Sequence, residues 1–111
     1  MKLTLAERAS ALNYLPNKED YHSLLEIRRA RECLAWRVEE KEEADKHTMD
    51  TPGGKVYEPK HLDSVVVDVP LSQWAVDLIR KGLREKCEKH DLMDKEVSLY
   101  QKFIVDFDQV A

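Results

Sequence analysis

Glycine is scarce in this chain, with three residues in 111, and there are only four prolines and two cysteines. So little glycine and proline excludes collagen-like repeats, elastic linkers and low-complexity sequence. Aromatic residues make up 7%, which leaves little material for a large shaped pocket. Long hydrophobic runs are missing too. The longest purely apolar stretch is Cys33-Leu34-Ala35-Trp36, whereas a membrane-spanning helix needs about 20 such residues. The opening residues, Met1 to Arg8, carry no apolar segment of the kind a secretory signal has. Cys33 and Cys87 fall inside predicted helices beside apolar neighbours and are expected to be reduced, packed as small hydrophobes. These absences predict a soluble, cytoplasmic protein.

What is present is globular in composition, with 42% hydrophobic and 36% charged residues. A chain of this length hides roughly two-thirds of its unfolded surface on folding, enough for a core without disulfides or metal. One globular domain over 1–111 is expected, with its last residues, from Val105 on, frayed. The net charge is −4 and its placement is uneven. Residues 39–45 hold Glu39, Glu40, Glu42, Glu43 and Asp45 against Lys41, net −4. Residues 28–37 carry Arg28, Arg29, Arg31 and Arg37 against Glu32, and residues 80–90 carry Arg80, Lys81, Arg84, Lys86 and Lys89 against Glu85 and Glu88, each net +3. An acidic total argues against general coating of nucleic acid, which depends on neutralising phosphates. Charge runs like these also serve solubility on ordinary helix faces.

Local signals divide the chain. Thr4-Leu5-Ala6-Glu7 is a capping box, and Leu5, Ala9 and Leu12 follow at helical spacing until Pro16 disfavours helix at Leu15. A second helix is predicted over Tyr21 to Trp36, with Leu24, Ile27, Ala30 and Leu34 as its stripe. The acidic stretch after Val38 reads as a short separate helix. Thr51-Pro52-Gly53-Gly54 is a turn signal joining two short stretches, 46–50 and 55–58, as a hairpin that Pro59 ends. Ser64 to Val69, with three successive valines, is the clearest strand. Ser72 caps a fourth helix running to about Lys89, on the stripe Val76, Ile79, Leu83 and Cys87. Gly82, isolated in mid-helix, points to close approach of another backbone. A last helix places Val97, Tyr100 and Ile104 on one stripe, with Leu99 and Phe103 beside it. The pattern predicts an α+β fold, with four or five helices around a small antiparallel sheet of two or three strands.

The chemistry-bearing motifs are weak. Cys87-Glu88-Lys89-His90 has half the spacing of a zinc site but lacks a second ligand pair. His47 and His61 flank the hairpin and meet only if the tertiary fold brings them together. There is no Gly-x-Ser-x-Gly elbow, and Gly53-Gly54 lacks the Lys-Ser/Thr and helix start of a phosphate loop. No catalytic residue, metal or cofactor is therefore expected. A helix-turn-helix is a poor match, because the first two helices are joined across Pro16 by about four polar residues.

The order of motifs is Leu3 to Arg8, Leu15-Pro16, Leu24 to Arg28, the Glu39 to Glu43 run, Gly53 to Val56, and Ser98 to Phe103. It resembles small uncharacterised proteins encoded in phages and prophages. The resemblance implies no activity and no functional residue. It implies only a class, since accessory proteins of that kind act by binding a host or phage protein inside a bacterial cell.

The function expected is therefore non-enzymatic protein–protein interaction, with an unidentified protein as partner. The hairpin edge around Lys55 to Glu58, with Tyr57 on it, would supply unpaired backbone groups. Glu39, Glu40, Glu42 and Glu43 would steer a basic partner. The alternative is a nucleic-acid-associated regulator using Arg28, Arg29, Arg31, Arg80, Lys81 and Arg84.

Overall fold

The Thr4 hydroxyl accepts the Glu7 amide at 3.1 Å and the Glu7 carboxylate accepts the Thr4 amide at 2.9 Å, so the capping box forms as its residue types require. In a computed structural model, which describes residues 1–106, this box starts helix α1 (Leu5–Leu12), directly after a short strand β1 (Lys2–Thr4). Asp20 caps α2 (Tyr21–Leu34) through the Ser23 amide. The acidic stretch is helix α3 (Val38–Asp45). The hairpin is β2 (Thr48–Thr51) and β3 (Gly54–Tyr57), with Thr51 opposite Gly54, whose φ of +114° closes the turn.

Pro59, rather than only ending β3, begins a short helix α4 (Pro59–Ser64), where its missing N–H costs nothing at the first helical position. Strand β4 (Val66–Asp68) follows, and Ser72 caps α5 (Gln73–Glu88) through the Ala75 amide as expected. His90 takes a left-handed φ of 57° just past α5, and the Asp91 amide returns to the Lys86 carbonyl. A single 3₁₀ turn (Asp94–Glu96) leads into α6 (Val97–Tyr100), which widens into a π-helical segment over Gln101–Asp106. Of the expected fraying tail, Val105 and Asp106 are thus helical and 107–111 lie outside the described residues.

The α+β class holds, with six helices among the described residues and two separate two-stranded antiparallel sheets. The valine strand does not join the hairpin. It pairs with β1, Leu3 opposite Val67, which brings the start of the chain to its middle. The core runs through Leu3 of β1, Ala11 of α1, Leu15 just after it, Ile27 and Leu34 of α2, Val69 just after β4, Ile79 and Leu83 of α5, and Leu99 and Phe103 of the C-terminal helix.

Three stripes differ from expectation. Ala9 is exposed, and the face α1 buries is Leu5, Glu7, Arg8 and Ala11. Cys87 is exposed at the end of α5, while Cys33 is half-buried and both are free thiols. Val97 is exposed, and the last helix instead buries Leu99, Phe103 and Ile104. Spacings of four and five suit its π-helical turn.

Two buried charges organise α1. Glu7 and Arg8 are only 3% and 2% exposed. Lys102 reaches Glu7 Oε1 at 2.6 Å and the Lys2 carbonyl at 3.0 Å, fastening the C-terminal helix to β1 and α1. Burial alone would raise the Glu7 pKa. Its hydrogen bonds from Lys102, the Thr4 amide and Ser98 outweigh that and hold it below the ordinary carboxylate value. A depressed folded pKa contributes stability that is present above the unfolded value and is lost as pH falls. The protein should therefore lose stability as pH drops below about 4.3, the ordinary glutamate value. In Glu7→Gln that part of the loss should be absent, seen as a smaller difference in urea midpoint between neutral and acid pH.

What Gly82 meets is an aromatic ring rather than a backbone. A Cβ at this position would lie 2.5 Å from Tyr14 Cδ1. Overpacking of that kind costs about 1–3 kcal/mol, more than the roughly 1 kcal/mol alanine gains over glycine in a helix. Gly82→Ala should lower stability by about 1 kcal/mol. In a Tyr14→Ala background the same change should raise it, and thermal melts of the four proteins distinguish the two effects.

Candidate functional site

The Arg8 guanidinium builds the platform on which the hairpin stands. Its Nε donates to the Leu34 carbonyl at 3.1 Å and one Nη to the Ala35 carbonyl, capping the C-terminus of α2. The same group meets both Glu40 oxygens at 2.6 and 3.0 Å, a bidentate pair of the kind only arginine makes. Glu40 also accepts the Arg37 amide at 2.8 Å. Hydrogen bonding from Arg8 is the largest influence on the Glu40 pKa and, against partial burial, keeps it low. The elbow between α2 and α3 is thus fixed by charge. At that elbow Trp36 donates its indole N–H to the Leu5 carbonyl at 3.0 Å. The Tyr57 ring meets Trp36 edge-on, centroids 5.3 Å apart. The Tyr57 hydroxyl donates to Asp45 at 2.9 Å, a bond that raises its pKa.

Tyr57, still partly exposed, therefore anchors the hairpin through its ring and its hydroxyl. Strand alternation then sends its neighbour outward: Val56 and its cross-strand partner Met49 are 45% and 46% exposed, side by side on the face away from Tyr57. Neither β2 nor β3 pairs with any other described strand, so both outer edges are open. Of the acidic candidates, Glu39, Glu42 and Glu43 are exposed, while Glu40 is held by Arg8. Glu43 lies 3.6 Å from Lys46 and 3.4 Å from His47 Nε2.

His47 and His61, far apart in sequence, stack at the base of the hairpin with centroids 4.3 Å apart and planes 9° from parallel. They line a shallow cleft with Glu58, Lys60 and Ser64. Among the described residues no group of three or more His, Cys, Asp or Glu is placed to hold a metal, and Cys87 and His90 are both exposed at the end of α5.

The basic candidates are dispersed and interleaved with acids. Arg28 is exposed on α2. Arg29 pairs with Glu26 at 3.0 Å, and Arg31 binds the Pro16 carbonyl and Asn17. Arg80 donates to the Phe103 carbonyl at 2.9 Å. Arg80, Lys81 and Arg84 share a groove of about 370 Å³ with Asp77, Glu85 and Glu88. Three cations against three anions do not make the positive track a nucleic-acid backbone needs. No helix of the described residues is long and apolar enough to cross a membrane.

Sequence reasoning found the hairpin and the acidic helix, named His47 and His61 as meeting only through the tertiary fold, and did not single out Met49 or Val56. Alternation would have found Val56 once Tyr57 was assigned inward, but the histidine pair depends on a contact no local pattern shows. No protein-family model matches the chain, and neither a curated protein nor a solved structure is detectably similar to it.

The partition of the acidic run is measurable. Glu40→Gln should cost about 1–3 kcal/mol, the scale of a weakened, partly buried charged hydrogen bond. Glu39→Gln, Glu42→Gln and Glu43→Gln should each stay within about 0.5 kcal/mol of wild type in urea unfolding, as surface changes do.

Proposed function

We propose that this protein is a non-enzymatic protein–protein interaction module that docks a basic, extended segment on the β2–β3 hairpin and the acidic flank of α3. The observation that carries the reading is the hairpin itself. It is a two-stranded ribbon with both edges open, and its outward face is apolar at Met49 and Val56. An incoming strand gains main-chain hydrogen bonds along such an edge. Apolar side chains of the partner find Met49 and Val56, and methionine adapts its shape readily to different partners. Glu39, Glu42 and Glu43 on the preceding helix bias the approach toward positive charge and against acidic competitors. The resemblance to small phage-encoded proteins supports an accessory or inhibitory role on a host or phage protein in the bacterial cytoplasm.

Capture from lysate followed by mass spectrometry identifies the partner, and two variant sets test the face. A Met49→Ser, Val56→Ser double variant leaves the Tyr57 anchor in place and should weaken binding at least about tenfold, mostly through faster dissociation. Glu39→Lys with Glu42→Lys should slow association and flatten its dependence on salt. Both sets binding within about 0.5 kcal/mol of wild type would reject this face. Steep loss of a captured nucleic acid with rising salt would instead favour the regulator reading on Arg28, Arg29, Arg31, Arg80, Lys81 and Arg84.

A further inference from the structure

We infer that the His47–His61 stack is a proton-sensitive latch that holds the hairpin to the body at neutral pH and releases it when both rings are charged. The inference concerns regulation of the docking face proposed above and rests on that reading for its consequence alone, because release is read on the free protein.

The latch sits where the hairpin joins the fold. His47 immediately precedes β2, and His61 lies on α4, which immediately follows β3. The Glu58 amide donates to the His47 carbonyl at 2.8 Å and the His61 amide to the Glu58 carbonyl at 3.1 Å, so the backbone brings the two residues together. The rings then lie face to face at 4.3 Å. Two neutral imidazoles stack as aromatic surfaces, and one imidazolium over a neutral ring is attracted to its π face. Two imidazoliums at this separation repel.

The surroundings do not absorb a second charge. From α3, Glu43 reaches His47 Nε2 at 3.4 Å and is shared with Lys46. The cleft that the two rings line also carries Glu58 and Lys60, one charge of each sign. The charged groups of α1, which packs against α4, are committed elsewhere: Glu7 to Lys102 and Arg8 to Glu40. Lys2, on the neighbouring β1, is exposed. The His61 Nε2 atom is buried and has no hydrogen-bond partner among the described residues. Protonation puts an N–H on both ring nitrogens, so a charged His61 would bury an unsatisfied donor. Opening the stack relieves both penalties and exposes Nε2 to water. Other side-chain tethers of the hairpin among the described residues include the Trp36–Tyr57 contact and the exposed Tyr57–Asp45 hydrogen bond. Protonated His47 also gains a charged bond to Glu43, which removes negative charge from the face that attracts a basic partner.

Histidine titrates between about pH 8 and 5, so the test follows amide exchange and ring resonances of the free, full-length protein across that range. After correction for intrinsic exchange, hairpin amides from Met49 to Val56 should open at least about tenfold more often at the acid end, while those in α5 stay protected. The Tyr57 ring signals should lose the shift induced by Trp36 over the same range. His61→Phe keeps an aromatic partner for His47 but cannot take a proton, so its hairpin should be insensitive to pH. His47→Phe is the second variant, with the same expectation, should the first not fold. The latch is overturned if wild-type hairpin amides do not respond, if they respond equally in the phenylalanine variant, or if α5 opens in step with the hairpin. Because no partner takes part, a failed docking face leaves these outcomes readable.

Discussion

A buried arginine sets the geometry of half the molecule. The Arg8 guanidinium takes up carbonyls that the end of α2 leaves without helical partners and then holds the first turn of α3 through Glu40. Truncating Glu40 altogether would leave the 3% exposed guanidinium without its counter-ion, at about 3–5 kcal/mol, more than Glu40→Gln, whose amide oxygen still accepts. An apolar side chain at Arg8 could fill the volume, but it could not direct two helices at once. The bidentate fork specifies the angle between them. At the elbow between α2 and α3, Trp36 binds the Leu5 carbonyl, and the Tyr57 ring meets Trp36 there.

The adjacent residue does the corresponding work at the other end. Glu7 points to Lys102, which also binds the Lys2 carbonyl, so α1 carries opposite charges that tie it to the C-terminal helix on one side and to the α2–α3 elbow on the other. The two arrangements differ in exposure. Lys102 keeps 32% of its side-chain surface and Arg8 3%, so salt and solvent screen the first pair more than the second. α1 has only eight residues, too few to be stable as an isolated helix. Its charges use it as a bracket between elements that have larger apolar faces.

The sequence was legible where the cause of a structure lies within a few residues. The Thr4–Glu7 box, the Ser72 cap, the Pro52-Gly53-Gly54 turn and the Ile27-Ala30-Leu34 stripe were all readable, because each signal and its effect are neighbours. Long-range pairing was not. Lys2-Leu3-Thr4 is too short to announce a strand, and only Val66 to Asp68, more than sixty residues later, makes it one. The burial of Glu7 and Arg8 has no local signal, because their partners, Lys102 and Glu40, are remote. The same limit applies to the candidate site. Tyr57 and the acidic run were visible, but the inward turn of Tyr57 depends on Trp36, and the removal of Glu40 from the acidic surface depends on Arg8.

The hairpin differs from the rest of the fold in the kind of contact that retains it. The helices share buried apolar surface around Ile27, Ile79, Leu83 and Phe103, and no single substitution elsewhere removes that. The hairpin contributes no residue to this core. The side-chain contacts that fasten it include the Trp36–Tyr57 pair, the exposed Tyr57–Asp45 bond and the histidine stack. Segments with few buried apolar contacts open with much smaller free energies than the global transition. The hairpin can therefore rearrange, or loosen under protonation, while the helical body stays folded. Charge places the ribbon and a few side chains retain it, so the surface proposed to meet a partner can change its state without reference to the stability of the core.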